Sequence, residues 1–373
     1  MNFYDLLAER AKTFGDKIFL QIDGQSFTYK DFLNAVDNSV AGGKFLTQAV
    51  NFFAGQKNNP SNIFEVATSG STSAPKILRR TFESWANFFP TQNKIFGVDD
   101  TTKLFMHGSL TFTGNLNTFL AILYAGGSIV TTEKFSPRRW LELVKISTAI
   151  YLVPTKLALL ATGTPLENVR SIFTGSQVLT ESQSLSLLKK FPAAELILYY
   201  GASELSFVTY KKISAENAGE VQNLGKPFDG VKIFIRDGLI YVDTPFRVVG
   251  LENPCTVGDA GFIDEHGDLI FFGRGEDFIN RGGVKIFASS VEQKLLTIDG
   301  VESAAVVKVP DKIRGENFLA FVVGNVDKKN IRQALTPAEL PREIFFVKSL
   351  PLNSSGKVDK KFLLEQLKNL LAD

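Results

Sequence analysis

The sequence predicts an α/β protein, with a large N-terminal domain of layered helices and sheets and a small C-terminal α/β domain. Three observations carry this prediction. From Ser84 onward, helix-like and strand-like runs alternate, as α/β layering requires. Several strand-like runs end in loops rich in Gly, Ser and Thr, a favoured position for ligand loops in such sheets. The chain has 373 residues, 44% of them hydrophobic, which is enough for two domains and a large core.

The elements follow in order. Met1-Asn2-Phe3-Tyr4-Asp5-Leu6-Leu7-Ala8-Glu9-Arg10 reads as an amphipathic helix with acidic and basic residues and without the apolar stretch of a signal peptide. Lys17-Ile18-Phe19-Leu20-Gln21-Ile22-Asp23-Gly24-Gln25-Ser26-Phe27-Thr28-Tyr29 reads as a hairpin around an Asp-Gly turn. Ile63-Phe64-Glu65-Val66-Ala67 reads as a short buried strand. Ala149-Ile150-Tyr151-Leu152-Val153-Pro154 and Ser171-Ile172-Phe173-Thr174-Gly175-Ser176 read as buried strands ending in loops, and the apolar run Leu196-Ile197-Leu198 as another. Phe262-Ile263-Asp264 and Asp268-Leu269-Ile270-Phe271-Phe272 pair around a His266-Gly267 turn. Beyond Arg274-Gly275-Glu276, residues 290–296 read as a helix, and 304–309 and 319–323 as strands. A final amphipathic helix sets Leu363, Leu367, Leu370 and Leu371 on one face. The domains are accordingly expected at 1–274 and 277–373.

Composition narrows the function. Lys and Arg number 41 against 39 Asp and Glu, and no basic tail, charge block or basic–aromatic repeat suggests nucleic-acid binding. Cys255 is the only cysteine, so an intramolecular disulfide and a cysteine-held metal cluster are excluded. This fits a reducing cytosol, and a cytoplasmic location is expected. With only His107 and His266, a histidine metal site is not expected. No run of roughly 18 apolar residues exists, so no membrane span is expected. The 33 phenylalanines are scattered through strand-like and helix-like runs and read as core.

The chemistry concentrates in a few segments. Thr68-Ser69-Gly70-Ser71-Thr72-Ser73-Ala74-Pro75-Lys76 packs five hydroxyls, a glycine and a lysine into nine positions. Hydroxyls and free backbone N–H groups can hydrogen-bond phosphate oxygens while Lys76 adds positive charge. It is not a Walker P-loop, which needs G-x-x-x-x-G-K-[ST]. Tyr199-Tyr200-Gly201-Ala202-Ser203-Glu204 lies at another strand end. Gly258-Asp259-Ala260-Gly261 and Gly273-Arg274-Gly275-Glu276 flank the second hairpin, so Asp259 and Arg274 could face one cleft. Leu350-Pro351-Leu352-Asn353-Ser354-Ser355-Gly356-Lys357 presents one lysine in a turn-rich loop.

Together, in this order and spacing, these segments resemble the motifs of the adenylate-forming (AMP-binding) superfamily, which includes acyl- and aryl-CoA synthetases. The likeness runs from residue 61 to the end. It implies that Thr68, Ser69, Gly70, Ser71, Thr72 and Lys76 hold ATP phosphates, and that Tyr200 stacks on the adenine. It also implies that Gly175, Ser176 and Gly201 border the nucleotide and that Ser203 contacts phosphate. By the same likeness Asp259 binds the ribose hydroxyls and Arg274 contacts ribose or phosphate. Glu204 is implied as the Mg²⁺ ligand, Glu276 as the hinge, and Lys357 as the catalytic lysine that binds the substrate carboxylate and α-phosphate. One departure is Ser73, where the family usually has glycine. A second is the stretch around 42–62, which replaces on the order of a hundred residues found in full-length relatives, so the N-terminal domain is expected to be truncated and compact.

The resemblance implies ATP-dependent conversion of a carboxylic acid to an acyl-adenylate and pyrophosphate, with Mg²⁺, followed by transfer to a thiol. His107, Phe112 and Gly114 are the expected acyl-pocket residues. Amino-acid-activating relatives usually carry an aspartate in this region, yet no acidic residue occurs from 104 to 132. A buried unpaired ammonium is costly, so a small-molecule substrate that is a non-amino carboxylic acid, aryl or aliphatic, is favoured. Coenzyme A is the expected acceptor, and a separate carrier protein is the alternative. O-succinylbenzoate–CoA ligases are one subgroup to consider; a non-catalytic nucleotide- or acid-binding relic is the contrasting reading.

Overall fold

The computed structural model describes residues 1–58, 61–68, 76–275, 278–351 and 358–370, with the side chains of 367–370 set aside. Helix α1 (Phe3–Phe14) starts at a reciprocal cap: Asn2 accepts from the Asp5 amide while the Asp5 carboxylate accepts from that of Asn2. The expected hairpin forms as β1 (Ile18–Ile22) and β2 (Gln25–Thr28). Thr28 and Asp31 then cap α2 (Tyr29–Asp37) in the same way, and α3 (Lys44–Asn58) follows.

The run expected to be a short buried strand, β3 (Ile63–Ala67), is laddered with β4 (Ile77–Thr81) in an antiparallel hairpin outside the main sheet. Phe64 and Val66 face inward while Glu65 faces solvent, the alternation of a half-covered ribbon rather than of a central strand. Short helices α4 (Phe82–Ala86) and α5 (Phe89–Phe96) lead into the alternating region. There β5 (Lys103–Met106), α6 (Thr113–Ala125), β6 (Ser128–Thr131), α7 (Pro137–Val144), β7 (Ala149–Tyr151), α8 (Pro154–Leu157), β8 (Ser171–Gly175), α9 (Glu181–Lys190) and β9 (Glu195–Ala202) follow in turn. Antiparallel β10 (Ser206–Ile213) and β11 (Lys226–Pro227) complete a nine-stranded sheet of order β11-β10-β9-β8-β7-β5-β6-β1-β2. The chain reverses direction across the sheet at β5, which has β6 on one side and β7 on the other. In open α/β sheets that switch point, at the carboxyl ends of the strands, is where ligands bind.

Period-2 alternation separates the two faces. Leu104, Met106, Ala149, Tyr151, Phe173, Ile197 and Tyr199 enter one hydrophobic core with Phe19, Phe32, Phe96 and Phe119. Phe105, Ile150, Ile172, Leu196 and Leu198 enter a second core on the opposite face with Trp140, Leu157 and Leu187.

A four-stranded antiparallel sheet follows: β12 (Lys232–Arg236), β13 (Leu239–Asp243), β14 (Asp259–Ile263) and β15 (Leu269–Arg274). The expected hairpin is therefore present, extended at both outer ends to include Asp259 and Arg274. The C-terminal part contains β16 (Phe278–Arg281), β17 (Val284–Phe287), α10 (Ala288–Leu296), β18 (Val301–Asp311), β19 (Gly315–Gly324), α11 (Lys328–Ala334), β20 (Glu343–Phe346) and α12 (Lys360–Leu370). Its five strands form one sheet between two small cores. Val306, Phe318, Ala320 and Val322 pack toward Val291 and Leu295 of α10; Ala305, Val307, Leu319 and Phe321 pack toward Leu363 of α12. The architecture is thus a large sheet-containing N-terminal domain and a smaller C-terminal α/β domain. Among the described residues, no helix is long and apolar enough to cross a membrane.

Candidate functional site

The hydroxyl-rich segment is the connection between β3 and β4. Its ends are closed by a hydrogen bond from the Thr68 amide to the Lys76 carbonyl, 3.0 Å, and Lys76 is exposed. Ser69, Gly70, Ser71 and Thr72 lie outside the described residues. The loop end of the hairpin is fixed to α6: Ala67 bridges Phe112, and Thr113 Oγ1 donates to the Ala67 carbonyl at 3.0 Å. Phe112 is the N-cap residue of α6 and supplies no side-chain cap. The first turn of α6 therefore begins without a side-chain cap, beside the end of β3.

The second motif ends β9. Tyr200 is 9% exposed, and its hydroxyl donates to Asp259 Oδ2 at 2.6 Å. Asp259 lies directly across from Arg274 in the β14–β15 register. Arg274 Nε is 3.1 Å from Asp259 Oδ1, yet that oxygen receives no hydrogen bond, because the guanidinium is not aligned to donate to it. Burial pushes the Asp259 carboxyl above the ordinary carboxylate range, against the pull of the Tyr200 hydroxyl and Arg274. Arg274 also donates to the Val257 carbonyl at 2.9 Å while its side chain remains 53% exposed. Tyr200, Asp259 and Arg274 thus form one cluster in which the carboxylate takes the Tyr200 hydroxyl on one oxygen and is ion-paired to Arg274 through the other.

Glu204 is half-buried in the turn between β9 and β10, and its carbonyl accepts from the Val248 amide. Among the described residues no hydrogen bond or ion pair engages its carboxylate, and no group of three His, Cys, Asp or Glu side chains could hold a metal. A single free carboxylate suits Mg²⁺ bound mainly through nucleotide phosphates.

Gly201 and Ser203 flank this turn, and an arginine that sequence reading missed anchors it. Arg80, at the inner face of β4, is 0% exposed. It donates from Nη2 to the Ser203 carbonyl and from Nη1 to the Phe246 carbonyl, both at 2.7 Å. Its guanidinium also lies 5.1 Å from the Trp85 ring centroid. Burial lowers its pKa to about 9, with Glu204 opposing the change. The signal was present in the alternation of Ile77, Leu78, Arg79, Arg80 and Thr81, which puts Arg80 on the same face as Leu78.

Gly175 closes β8, and Ser176 follows in the left-handed region at φ +68°. Only glycine fits at 175, because a Cβ there would lie 2.5 Å from Tyr199 Cε2. Gly114 is equally pressed: a Cβ would meet the Tyr151 hydroxyl at 2.5 Å. Gly114, Ser176, Gly201 and Ser203 line one cavity of about 60 Å³ with Thr113, Asn117, Tyr199 and Ser206. Phe112, 48% exposed, sits on the outer side at the start of α6.

His107 is not beside Gly114 in this cavity. It follows β5 into a different one of about 210 Å³, with Gln48, Ser109 and Glu133. Its ring packs 4.5 Å from Trp140, and Lys156 Nζ lies 3.2 Å from its Nδ1. Burial, and then the charge of Lys156, lower its pKa to about 4. Glu276 and Lys357, like Leu367, Leu370 and Leu371, fall outside the residues whose side chains are described.

Comparison with known proteins identifies a family and a fold. Residues 56–250 match the AMP-binding enzyme family and residues 290–357 its C-terminal domain. The chain is 34% identical over 330 residues to an uncharacterised acyl–CoA ligase of Bacillus subtilis, covering 80% of this chain and 68% of that protein. It is 27% identical over 329 residues to a 3,4-dihydroxybenzoate–[aryl-carrier protein] ligase of Bacillus anthracis, covering 85% of this chain and 76% of that one. Its fold resembles that of o-succinylbenzoate CoA synthetase from Bacillus subtilis in complex with an acyl-adenylate. The TM-score is 0.80, at 20% identity and with 96% and 97% of the two chains covered.

Proposed function

Because the chain belongs to the AMP-binding enzyme family, we propose that it activates a carboxylic acid with ATP and passes the acyl group to coenzyme A. The substrate carboxylate attacks the α-phosphorus, the bond to the bridging oxygen breaks, and pyrophosphate leaves. The thiol sulfur then attacks the acyl carbon, loses its proton, and displaces AMP. The observation that supports this reading best is the Tyr200–Asp259–Arg274 cluster in the same chain as the hydroxyl-rich hairpin and a Glu204 carboxylate without a partner among the described residues.

Each group has a physical task. Bringing a carboxylate to a phosphate joins two anions, so fixed positive charge must stand where negative charge develops. Lys357 supplies it at the reacting carboxylate and α-phosphate, and Thr68, Ser69, Gly70, Ser71, Thr72 and Lys76 hold the β- and γ-phosphates. Glu204 would hold Mg²⁺, which supplies charge neutralisation of the phosphates. Tyr200, Gly175, Ser176 and Gly201 border the base, with Asp259 accepting from the ribose hydroxyls and Arg274 beside it. Ser203 bonds a phosphate oxygen. Positioning of the two reactants supplies the remainder.

We place the division between the two domains at Arg274-Gly275-Glu276, with the larger spanning 1–274 and the smaller 277–373, and Glu276 as the hinge. Rotation there exchanges the adenylation face for the thiol-transfer face. The likeness to an acyl–CoA ligase favours coenzyme A as the acceptor, and the likeness to an aryl-carrier-protein ligase keeps a carrier protein as the second reading. The test is carboxylate-dependent ATP–pyrophosphate exchange with Lys357→Ala as control. Exchange with one acid, lost in the variant, is the expected result. ATP binding without exchange for any acid points instead to a non-catalytic relic.

A further inference from the structure

The chain leaves the carboxyl ends of β5, β6 and β7 through His107, through Thr132 and Glu133, and through Lys156 on α8. These strands flank the switch point, where ligands of open α/β sheets bind. Lys156 is held there by two groups of one residue. Its Nζ lies 3.2 Å from His107 Nδ1 and donates to the His107 carbonyl at 3.1 Å. The His107 ring is fixed in turn against Trp140, 4.5 Å between centroids. With a pKa of about 4, His107 is neutral near pH 7. An ammonium only donates, so His107 accepts on Nδ1 and carries its proton on Nε2.

The charge of half-buried Lys156 has no counter-charge in the protein. Burial lowers its pKa and no carboxylate opposes the change. Among the described residues none forms an ion pair with it. The carboxylates of this region have other partners: Glu133 accepts from the Phe45 amide, and Asp23 from the Thr132 hydroxyl and the Glu133 amide. Gly108, at φ +131°, brings the ammonium to the wall of the 210 Å³ cavity, since a Cβ there would lie 3.3 Å from Lys156 Nζ and 2.8 Å from Asn115 Nδ2. Asn115 adjoins Gly114 of the cavity beneath Ser203, so the ammonium lies close to the stretch that joins the two cavities. A second cation, Lys44, lines the 210 Å³ cavity, exposed and without an ion pair among the described residues. A half-buried cation without a counter-charge is costly, and an anion docked beside it offsets that cost.

We propose, resting on the adenylation reading above, that the acid activated by this chain carries a second carboxylate, received by Lys156. One carboxylate reacts with ATP while the other stays ionised at the switch point, with the ammonium as its counter-charge. His107 is a positioning residue that holds the ammonium in place. An α-ammonium on the substrate would be repelled there, a ground against amino acids separate from the missing aspartate.

The experiment is ATP–pyrophosphate exchange with diacids against their monoacid counterparts. The pairs are succinate and butanoate, adipate and hexanoate, decanedioate and decanoate, and terephthalate and benzoate. For the diacid that serves best, kcat/KM should exceed that of its monoacid by roughly 10- to 100-fold. Lys156→Met should reduce this preference to within about threefold, chiefly through KM. Lys156→Arg, which keeps the charge on a different donor geometry, should retain a preference of about fivefold or more. Thermal melting and ATP binding verify that both variants are folded, and the wild-type panel decides the matter even if one of them is not. Monoacids serving as well as their diacids in every pair overturn the proposal while leaving the adenylation reading intact. So does an unchanged preference in folded Lys156→Met. Absence of exchange with every acid overturns the adenylation reading and this proposal with it.

Discussion

Arg80→Met separates two roles that a buried arginine usually combines. Among the described residues the guanidinium forms no ion pair, and burial moves its pKa from 12.5 to about 9 against the charge of Glu204. That displacement corresponds to about 5 kcal/mol against the charged form. Two charge-assisted hydrogen bonds, to the Ser203 and Phe246 carbonyls, return about 1.5–3 kcal/mol each. The terms nearly cancel, so Arg80→Met should leave unfolding free energy within about 2 kcal/mol of wild type, measured by urea denaturation. Activity should not be spared. Ser203 and Glu204 would lose the group that ties them to β4, and a misplacement of about 1 Å in a reacting site can cost roughly 10²-fold. The assay is ATP–pyrophosphate exchange at increasing Mg²⁺. We expect a loss of about 10²-fold in kcat/KM, partly recovered at high Mg²⁺ as weakened metal binding at Glu204 is overcome. A folded variant with exchange within threefold of wild type would refute the positioning role. Destabilisation beyond about 4 kcal/mol would refute the cancellation.

Three further outcomes are expected. Lys357→Ala should lower adenylation by roughly 10²–10³-fold, as does loss of one preorganised donor at a developing charge; unchanged pyrophosphate release counts against its assignment. Glu276→Pro should slow thioester formation far more than adenylation, and equal slowing of the two half-reactions removes it as the hinge. His107 has an ordinary pKa of 6.5 and a folded-state value of about 4, set by burial and then by Lys156. Between those values the unfolded chain binds more protons, so stability is lost as pH falls from about 6.5 to about 4. His107→Gln should flatten that slope in denaturant midpoints across this window, and an unaltered slope sinks the argument.

What the sequence made legible follows from how local each feature is. Asp259 and Arg274 were readable as facing residues because one short hairpin with an obvious His266-Gly267 turn sets their register. The hydroxyl-rich loop does sit at a strand end, but β3 is half-covered rather than buried. Phe64 and Val66 suggested a buried strand, while exposed Glu65 was the sign of a half-covered ribbon. His107 and Gly114 lie within one apolar-looking segment, yet β5 ends at Met106 and α6 begins at Thr113, and the intervening turn sends them to separate cavities. Tyr151, Tyr199 and Asn117 gave no local signal at all. Each looks like an ordinary core residue until the adjacency of β7, β8 and β9 and the packing of α6 bring them together.

Two cavity residues show how the cavity wall is tied to the β3–β4 hairpin. Ser176 and Ser206 hold φ of +68° and +69°, a region that non-glycine residues occupy only when their surroundings compel it. At Ser206 the compulsion is visible: its hydroxyl donates to the Phe246 carbonyl at 2.8 Å and accepts from Trp85 Nε1 at 3.1 Å. The same Phe246 carbonyl takes Arg80 Nη1 on its other lone pair. One oxygen therefore ties together β4, which follows the hydroxyl-rich loop, and the wall of the cavity lined by Ser203 and Ser206. Were nucleotide binding to shift β4, Arg80 would carry the shift to the Phe246 carbonyl and Ser206. Arg80→Met should accordingly raise KM for the acid together with that for ATP, an effect that two independently anchored half-sites would not produce.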